Sequence, residues 1–163
     1  MMSQHREPED SLDFPAKEKP YIYVASSWRN ERQHEVVVRL RAEGFGVYDF
    51  RKPNGGKGFS WDDAGMPTGA YDLVFSKQFI EALDTDVAKQ GFQRDFAAME
   101  KASIFVMVLP CERDAHLELG WAAGAGKETI ILLDDPCKPS LMYGMVDHLS
   151  PDLDDLVDWL EGA

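Results

Sequence analysis

Two carboxylates stand apart from the many acidic side chains of this sequence. Asp95 falls near the middle of an amphipathic stretch, and Glu118 follows Asp114 by four residues, flanked by Leu117, Leu119, Gly120, Trp121 and Ala122. Carboxylates serve chemistry as nucleophiles and as proton carriers. One set in such apolar sequence beside a strand end is either a helix-start charge answering the helix dipole or a functional group held in a cleft. Asp95 also reads as a solvated helix carboxylate paired with Arg94 or Lys89.

Other candidates are weaker by residue type or spacing. Cys111 is a possible nucleophile, but Glu112 and Asp114 beside it would raise a thiol pKa, so it reads as an ordinary loop cysteine. Cys111 and Cys137 lack the spacing of a metal-ligand pair, and both are expected to be free thiols. Asn54-Gly55-Gly56-Lys57-Gly58 lacks the Gly-Lys-Ser/Thr ending of a phosphate loop and reads as the tip of a lid carrying Phe59 and Trp61. Gly120, Gly124 and Gly126 lie within or at the end of a helix, so close packing explains them better than dinucleotide binding. No metal or redox cofactor is called for.

Ser26, Ser27 and Trp28 follow the first apolar run, where hydroxyls and backbone N–H groups can hold sugar or phosphate oxygens and a ring can stack on a base. Arg29 could neutralise a phosphate. The serines read equally as helix caps, and Trp28 as ordinary packing. His116 either contacts a ligand oxygen from the start of its helix or has no role there.

The elements that must position these groups alternate along the chain. Tyr21–Ala25 (YIYVA) predicts a strand, and Val36, Val37 and Leu40 mark one face of a helix that ends at Gly44. Residues 46–50 predict a second strand, parallel to the first. Residues 51–74 form a long connection rich in Gly, Pro and Asp, of the kind that more often serves as a functional lid than as a linker. A short helix is expected over 76–83 and a longer one over 87–102, with Phe92, Phe96, Met99 and Ala102 at helical spacing.

Residues 104–109 (IFVMVL) read as a central strand buried on both faces, followed by a loop over 110–114, a small-residue helix over 115–126 and a strand over 128–133. A short helix over 139–145, a weak edge strand over 146–149 and a helix over 152–160 complete the series. The fold class expected is α/β, a flavodoxin-like doubly wound sheet of about five mainly parallel strands with helices on both faces. In that architecture ligands sit at the carboxyl ends of the strands, where residues 26–30 and 110–118 fall.

Composition bounds the partners. At 163 residues one compact domain is the default. Seventeen basic against 29 acidic side chains give a net charge of −12, which disfavours duplex nucleic acid and anionic membrane surfaces. No apolar stretch approaches the roughly 20 residues of a membrane span, and residues 1–20 are polar where a signal peptide would be apolar. The expectation is a cytoplasmic protein with a flexible leader over 1–20 and one domain over 21–163.

The block LPCERDAHLELGWAAGAGKETIILL resembles the strand, loop, Glu-Leu-Gly and small-residue helix of the nucleoside 2-deoxyribosyltransferases. YIYVASSWRNERQ is similar to that family's first strand and ligand loop, and GFQRDFAAMEKASIFVMVLP to its segment ahead of the central strand. The resemblance spans most of residues 21–133 and takes in nucleotide N-glycosidase relatives. It implies cleavage of an N-glycosidic bond, with Glu118 as the nucleophile at the anomeric carbon and Asp95 protonating or positioning the leaving base. It also puts Asp114 where members place an aspartate for the sugar hydroxyl, while nucleotide-cleaving relatives carry a serine for the phosphate. A carboxylate there opposes a phosphate, whereas Arg29 would attract one.

The same resemblance implies a nucleoside, nucleotide or free base as ligand and a homodimer or larger homo-oligomer, with residues 142–148 in the region that reaches a neighbouring subunit's site. The chain departs from the family pattern by continuing through an acidic helix after that region, which leaves hydrolysis open beside base exchange. Two other functions fit the layout. One is an NAD glycohydrolase related to Toll/interleukin-1 receptor domains, and the other a non-catalytic sensor of a nucleotide-derived signal.

Overall fold

A computed structural model of the chain describes residues 18–66 and 73–162. The leader expected over 1–20 lies outside the described residues as far as residue 17, and so do residues 67–72 of the long connection. Among the described residues, five strands form one all-parallel sheet in the order β2-β1-β3-β4-β5. They are β1 (Tyr21–Ala25), β2 (Gly46–Asp49), β3 (Ile104–Val108), β4 (Glu128–Leu132) and β5 (His148–Ser150). This is the expected doubly wound, flavodoxin-like arrangement. The weak edge strand expected over 146–149 is β5, which begins two residues later and ends one residue later than its sequence pattern suggests.

Among the described residues, five α-helices accompany the sheet: α1 (Arg32–Ala42), α2 (Ser76–Leu83), α3 (Asp86–Lys101), α4 (Arg113–Gly124) and α5 (Leu153–Gly162). Because successive strand side chains point to opposite faces, each central strand feeds two cores. Ile22, Val24, Val106, Val108, Ile130 and Leu132 pack with Val36, Val37 and Leu40 of α1 and Leu156, Val157 and Leu160 of α5. Tyr23, Ala25, Phe105, Met107 and Ile131 pack instead with Ala98 and Met99 of α3 and Leu119 and Ala122 of α4. Each such fully buried aliphatic or aromatic side chain contributes roughly 1.5–3 kcal/mol by leaving water.

Local signals explain the boundaries. Gly44 takes φ +90°, a left-handed conformation that closes α1 with bonds from its own N–H to the Arg41 carbonyl and from the Phe45 N–H to the Leu40 carbonyl. Thr85 caps α3 by accepting from the Ala88 N–H at 3.3 Å. The serines after β1 do not cap α1. Glu31 holds the cap position without a side-chain cap bond, and one residue earlier Asn30 Oδ1 accepts from the N–H of Arg32, the first residue of α1, at 3.0 Å.

Three further expectations are corrected. Helix α4 begins at Arg113 and not at Ala115, so Asp114 stands in the first helical turn instead of a loop. The short helix expected over 139–145 is a 3-10 turn over Leu141–Met145. Phe92 is 63% exposed although it shares the spacing of buried Met99; it rests on Phe96 with ring centroids 5.4 Å apart. Among the described residues, no helix is long and apolar enough to cross a membrane.

Candidate active site

The carboxyl ends of β1 and β3 are held together by one buried side chain. Asn30 Nδ2 donates to the carbonyls of Val108 and Pro110 and to Ser26 Oγ, each at 3.1 Å. Ser26 Oγ in turn donates to the Val108 carbonyl at 2.9 Å. Arg51, just past β2, gathers the loop after β1 by donating from Nη2 to the carbonyls of Ser27, Trp28 and Asn30. The turn after β1 is thus fixed from both sides before any ligand enters.

Glu118 sits in the second turn of α4, on the face toward Tyr23 of β1 and Asp95 of α3. Burial raises its carboxyl from an ordinary 4.5 to about 8, the negative charges of Asp114 and Asp95 add to the rise, and the Tyr23 hydroxyl offsets part of it. Tyr23 is itself fully buried, stacked between Tyr48 at 5.3 Å and Phe105 at 5.0 Å. Its hydroxyl has no partner at hydrogen-bonding distance among the described residues, although it is close enough to act on Glu118.

Asp95 faces the same space from the middle of α3. Burial raises its carboxyl, while the hydrogen bond from Tyr48 and the nearby Arg94 guanidinium pull it down. The Tyr48 hydroxyl donates to Oδ1 at 2.7 Å, and Arg94 Nε stands 3.5 Å from the same oxygen. Lys89, the other cation considered from sequence, pairs with Asp84 at 2.6 Å instead. Two carboxyls whose surroundings favour the neutral form therefore converge from two helices on the carboxyl end of the sheet.

This architecture has known counterparts. One is a 2-deoxyribosyltransferase from the psychrotolerant bacterium Bacillus psychrosaccharolyticus, 20% identical, matched with a TM-score of 0.54 over 83% of this chain and 89% of that one. Another is a CMP N-glycosidase from Clostridium botulinum, 16% identical, with a TM-score of 0.51 over 86% of this chain and 98% of that one. The chain shares their fold. No protein-family model matches it, and no curated protein matches it in sequence.

The other residues singled out from sequence divide into those near Glu118 and those engaged elsewhere. Asp114 precedes Glu118 by one helical turn and acts on it through charge. His116 is committed on both nitrogens. Nδ1 lies 2.7 Å from the Glu112 carbonyl, to which it donates, and Nε2 lies 2.9 Å from the Tyr143 hydroxyl. The histidine thereby ties the 3-10 turn over Leu141–Met145 to α4.

Arg29 stands 4.0 Å from Glu112. Trp28 is half exposed and meets Phe50 edge-on at 5.5 Å. Phe59 packs where a Cβ on Gly91 would intrude, 2.9 Å from its ring, and it meets Trp61, which continues to Phe79. In this conformation the two rings of the expected lid lie against α2 and α3.

An open concavity of about 690 Å³ lies beside this cluster, lined by Cys111, Glu112, Arg113, His116 and Leu117. Glu118 is not in its wall. Both cysteines are free thiols, and burial with the charges of Glu118, Asp134 and Glu112 pushes Cys111 up to about 12. Its thiolate is scarce at neutral pH, as its acidic neighbours suggest.

Four residues of this region carry no candidate role in the sequence reading: Tyr23, Asn30, Tyr48 and Arg51. A tyrosine within a strand buried on both faces is the signal that could have flagged Tyr23 and Tyr48, since a buried hydroxyl needs a partner. Arg51 follows directly on a strand end, but nothing in its sequence neighbours points to the three carbonyls it meets.

Proposed function

We propose that the protein cleaves the N-glycosidic bond of a nucleoside or nucleotide by a two-step mechanism with Glu118 as nucleophile and Asp95 as the proton carrier. The observation that carries this reading is the convergence of Glu118 and Asp95 from α4 and α3, both held toward the neutral form and each acting on the Tyr23 hydroxyl. The fold shared with a 2-deoxyribosyltransferase and a CMP N-glycosidase supports it.

In the first step an anionic Glu118 oxygen bonds to the anomeric carbon as the bond to the base nitrogen breaks, and Asp95 gives its proton to the departing base. In the second step water attacks that carbon, Asp95 takes the water's proton, and the ester bond to Glu118 breaks. A second base in place of water turns hydrolysis into transfer. The developing oxocarbenium charge is stabilised by the carboxylate that attacks it. Ser26, Ser27, Trp28, Arg29, Asp114 and His116 are the proposed surroundings of the substrate, with Phe59 and Trp61 as a proposed cover. A homodimer or larger assembly, read by sedimentation velocity, belongs to the same proposal.

The test is chromatographic detection of free base from nucleosides, nucleoside monophosphates and NAD, with and without an acceptor base. Release by the wild type and its loss in Glu118→Gln is the expected result. Tight binding of an intact ligand that Glu118→Gln leaves unchanged, with no release from any compound, would overturn the enzymatic reading in favour of a sensor.

A further inference from the structure

Asp95 meets the rest of the site unevenly. Among the described residues, the Tyr48 hydroxyl and Arg94 Nε both address Oδ1, and no hydrogen bond falls on Oδ2. The donor is rigidly mounted. Tyr48 belongs to β2, is 3% exposed, and stacks on Tyr23 with the ring planes 19° apart, so little beyond rotation of its O–H remains free. Oδ1, occupied by a donor and facing a cation, is the poorer seat for a proton than Oδ2.

We propose that Tyr48 is a positioning residue for Asp95: by donating to Oδ1 it orients the carboxyl and assigns proton transfer to Oδ2. This rests on the glycosidic function proposed above. The tyrosine touches neither the anomeric carbon nor the base and acts through Asp95 alone. A carboxyl free to rotate would present either oxygen and lose the alignment on which proton transfer depends.

The groups that face Asp95 are Tyr48 from β2, Tyr23 from β1, Arg94 from its own helix and Glu118 from α4. Removing the Tyr48 hydroxyl takes a hydrogen bond from the charged form, so the midpoint of Asp95 moves up. The other three groups remain.

The experiment pairs a carbon-13 NMR titration of the Asp95 carboxyl with the kinetics of base release, for wild type, Tyr48→Phe and Asp95→Asn. The expected result for Tyr48→Phe is an upward shift of the Asp95 midpoint and a fall in kcat on the order of tenfold with KM little changed. An unmoved midpoint, or a moved midpoint with kcat intact, would overturn the proposal. If Asp95→Asn is inactive while Tyr48→Phe behaves as wild type, only this inference fails. If the wild type releases no base, the glycosidic function fails, and the catalytic part of this inference with it. Should Tyr48→Phe not fold, 3-fluorotyrosine at position 48 retains the ring and strengthens the donor. The Asp95 midpoint must then move down, and a shift in the other direction or none overturns the proposal.

Discussion

Asp114 and Glu118 lie one turn apart on α4, and after burial the charge of Asp114 is the largest influence holding the Glu118 carboxyl up at about 8. Two acidic side chains four residues apart on one helix repel each other, and burial of the second makes the repulsion more costly. The arrangement costs stability and is the kind kept where a function needs it.

The first consequence is a pH profile. On the proposed roles the Glu118–Asp95 pair works with one proton between them, so kcat/KM for base release is bell-shaped, with apparent values that belong to the pair. The alkaline limb falls near pH 8, where the pair loses its remaining proton. In Asp95→Asn only Glu118 titrates, and its ionisation is required, so the residual activity rises with pH and has no alkaline limb. Initial rates from pH 5 to 10 check this, and an alkaline limb retained in Asp95→Asn would sink the assignment.

A second expectation concerns stability. The folded carboxyl of Glu118 titrates at about 8 and its ordinary value is 4.5, so between these values the folded protein binds more protons than the unfolded chain. Stability is therefore lost as pH rises through that window. Glu118→Gln has no charge to bury and escapes the loss. Its advantage over wild type opens above pH 5 and reaches on the order of a few kcal/mol at pH 9. Thermal melts of both proteins at pH 5, 7 and 9 are the measurement; parallel curves with no widening gap would contradict it.

Asn30 supplies a third. It is 6% exposed, and its side-chain N–H groups meet two carbonyls and a hydroxyl from segments about 80 residues apart in sequence. Asn30→Ala removes the donors that join the Pro110 carbonyl and Ser26 to the start of α1 and leaves the Val108 carbonyl with Ser26 Oγ alone, and is expected to cost roughly 1–3 kcal/mol. Asn30→Asp costs more, because it sets an anion against two carbonyl oxygens. Urea unfolding midpoints of the three proteins give the comparison, and an alanine variant as stable as wild type would show that the strand ends hold without this bridge.

Much of the fold was legible because its signals are local. The run over 104–109 is apolar on both faces, Val36, Val37 and Leu40 recur at helical spacing, and Gly44 marks the end of their helix. The least legible part was the start of α4. Cys111, Glu112 and Arg113 look like loop residues in sequence, but the helix takes in Arg113 once Ala115, Leu119 and Ala122 face the sheet core. The reading of Ser26 and Ser27 as caps failed for a related reason: Asn30, three residues beyond Ser27, reaches the same N-terminus.

The sequence by itself determined the alternation of strands and helices, the carboxyl-end position of residues 26–30 and 110–118, and the apolar setting of Glu118. These follow from periodicity and composition within windows of a few residues. Only the tertiary structure decided which side chains meet. Tyr48 reaches Asp95 across 47 residues and Asn30 reaches Pro110 across 80. Such pairs depend on strand order and on the packing of α3 and α4 over one face of the sheet. A local pattern shows that a side chain will be buried; the packed structure determines what it is buried against.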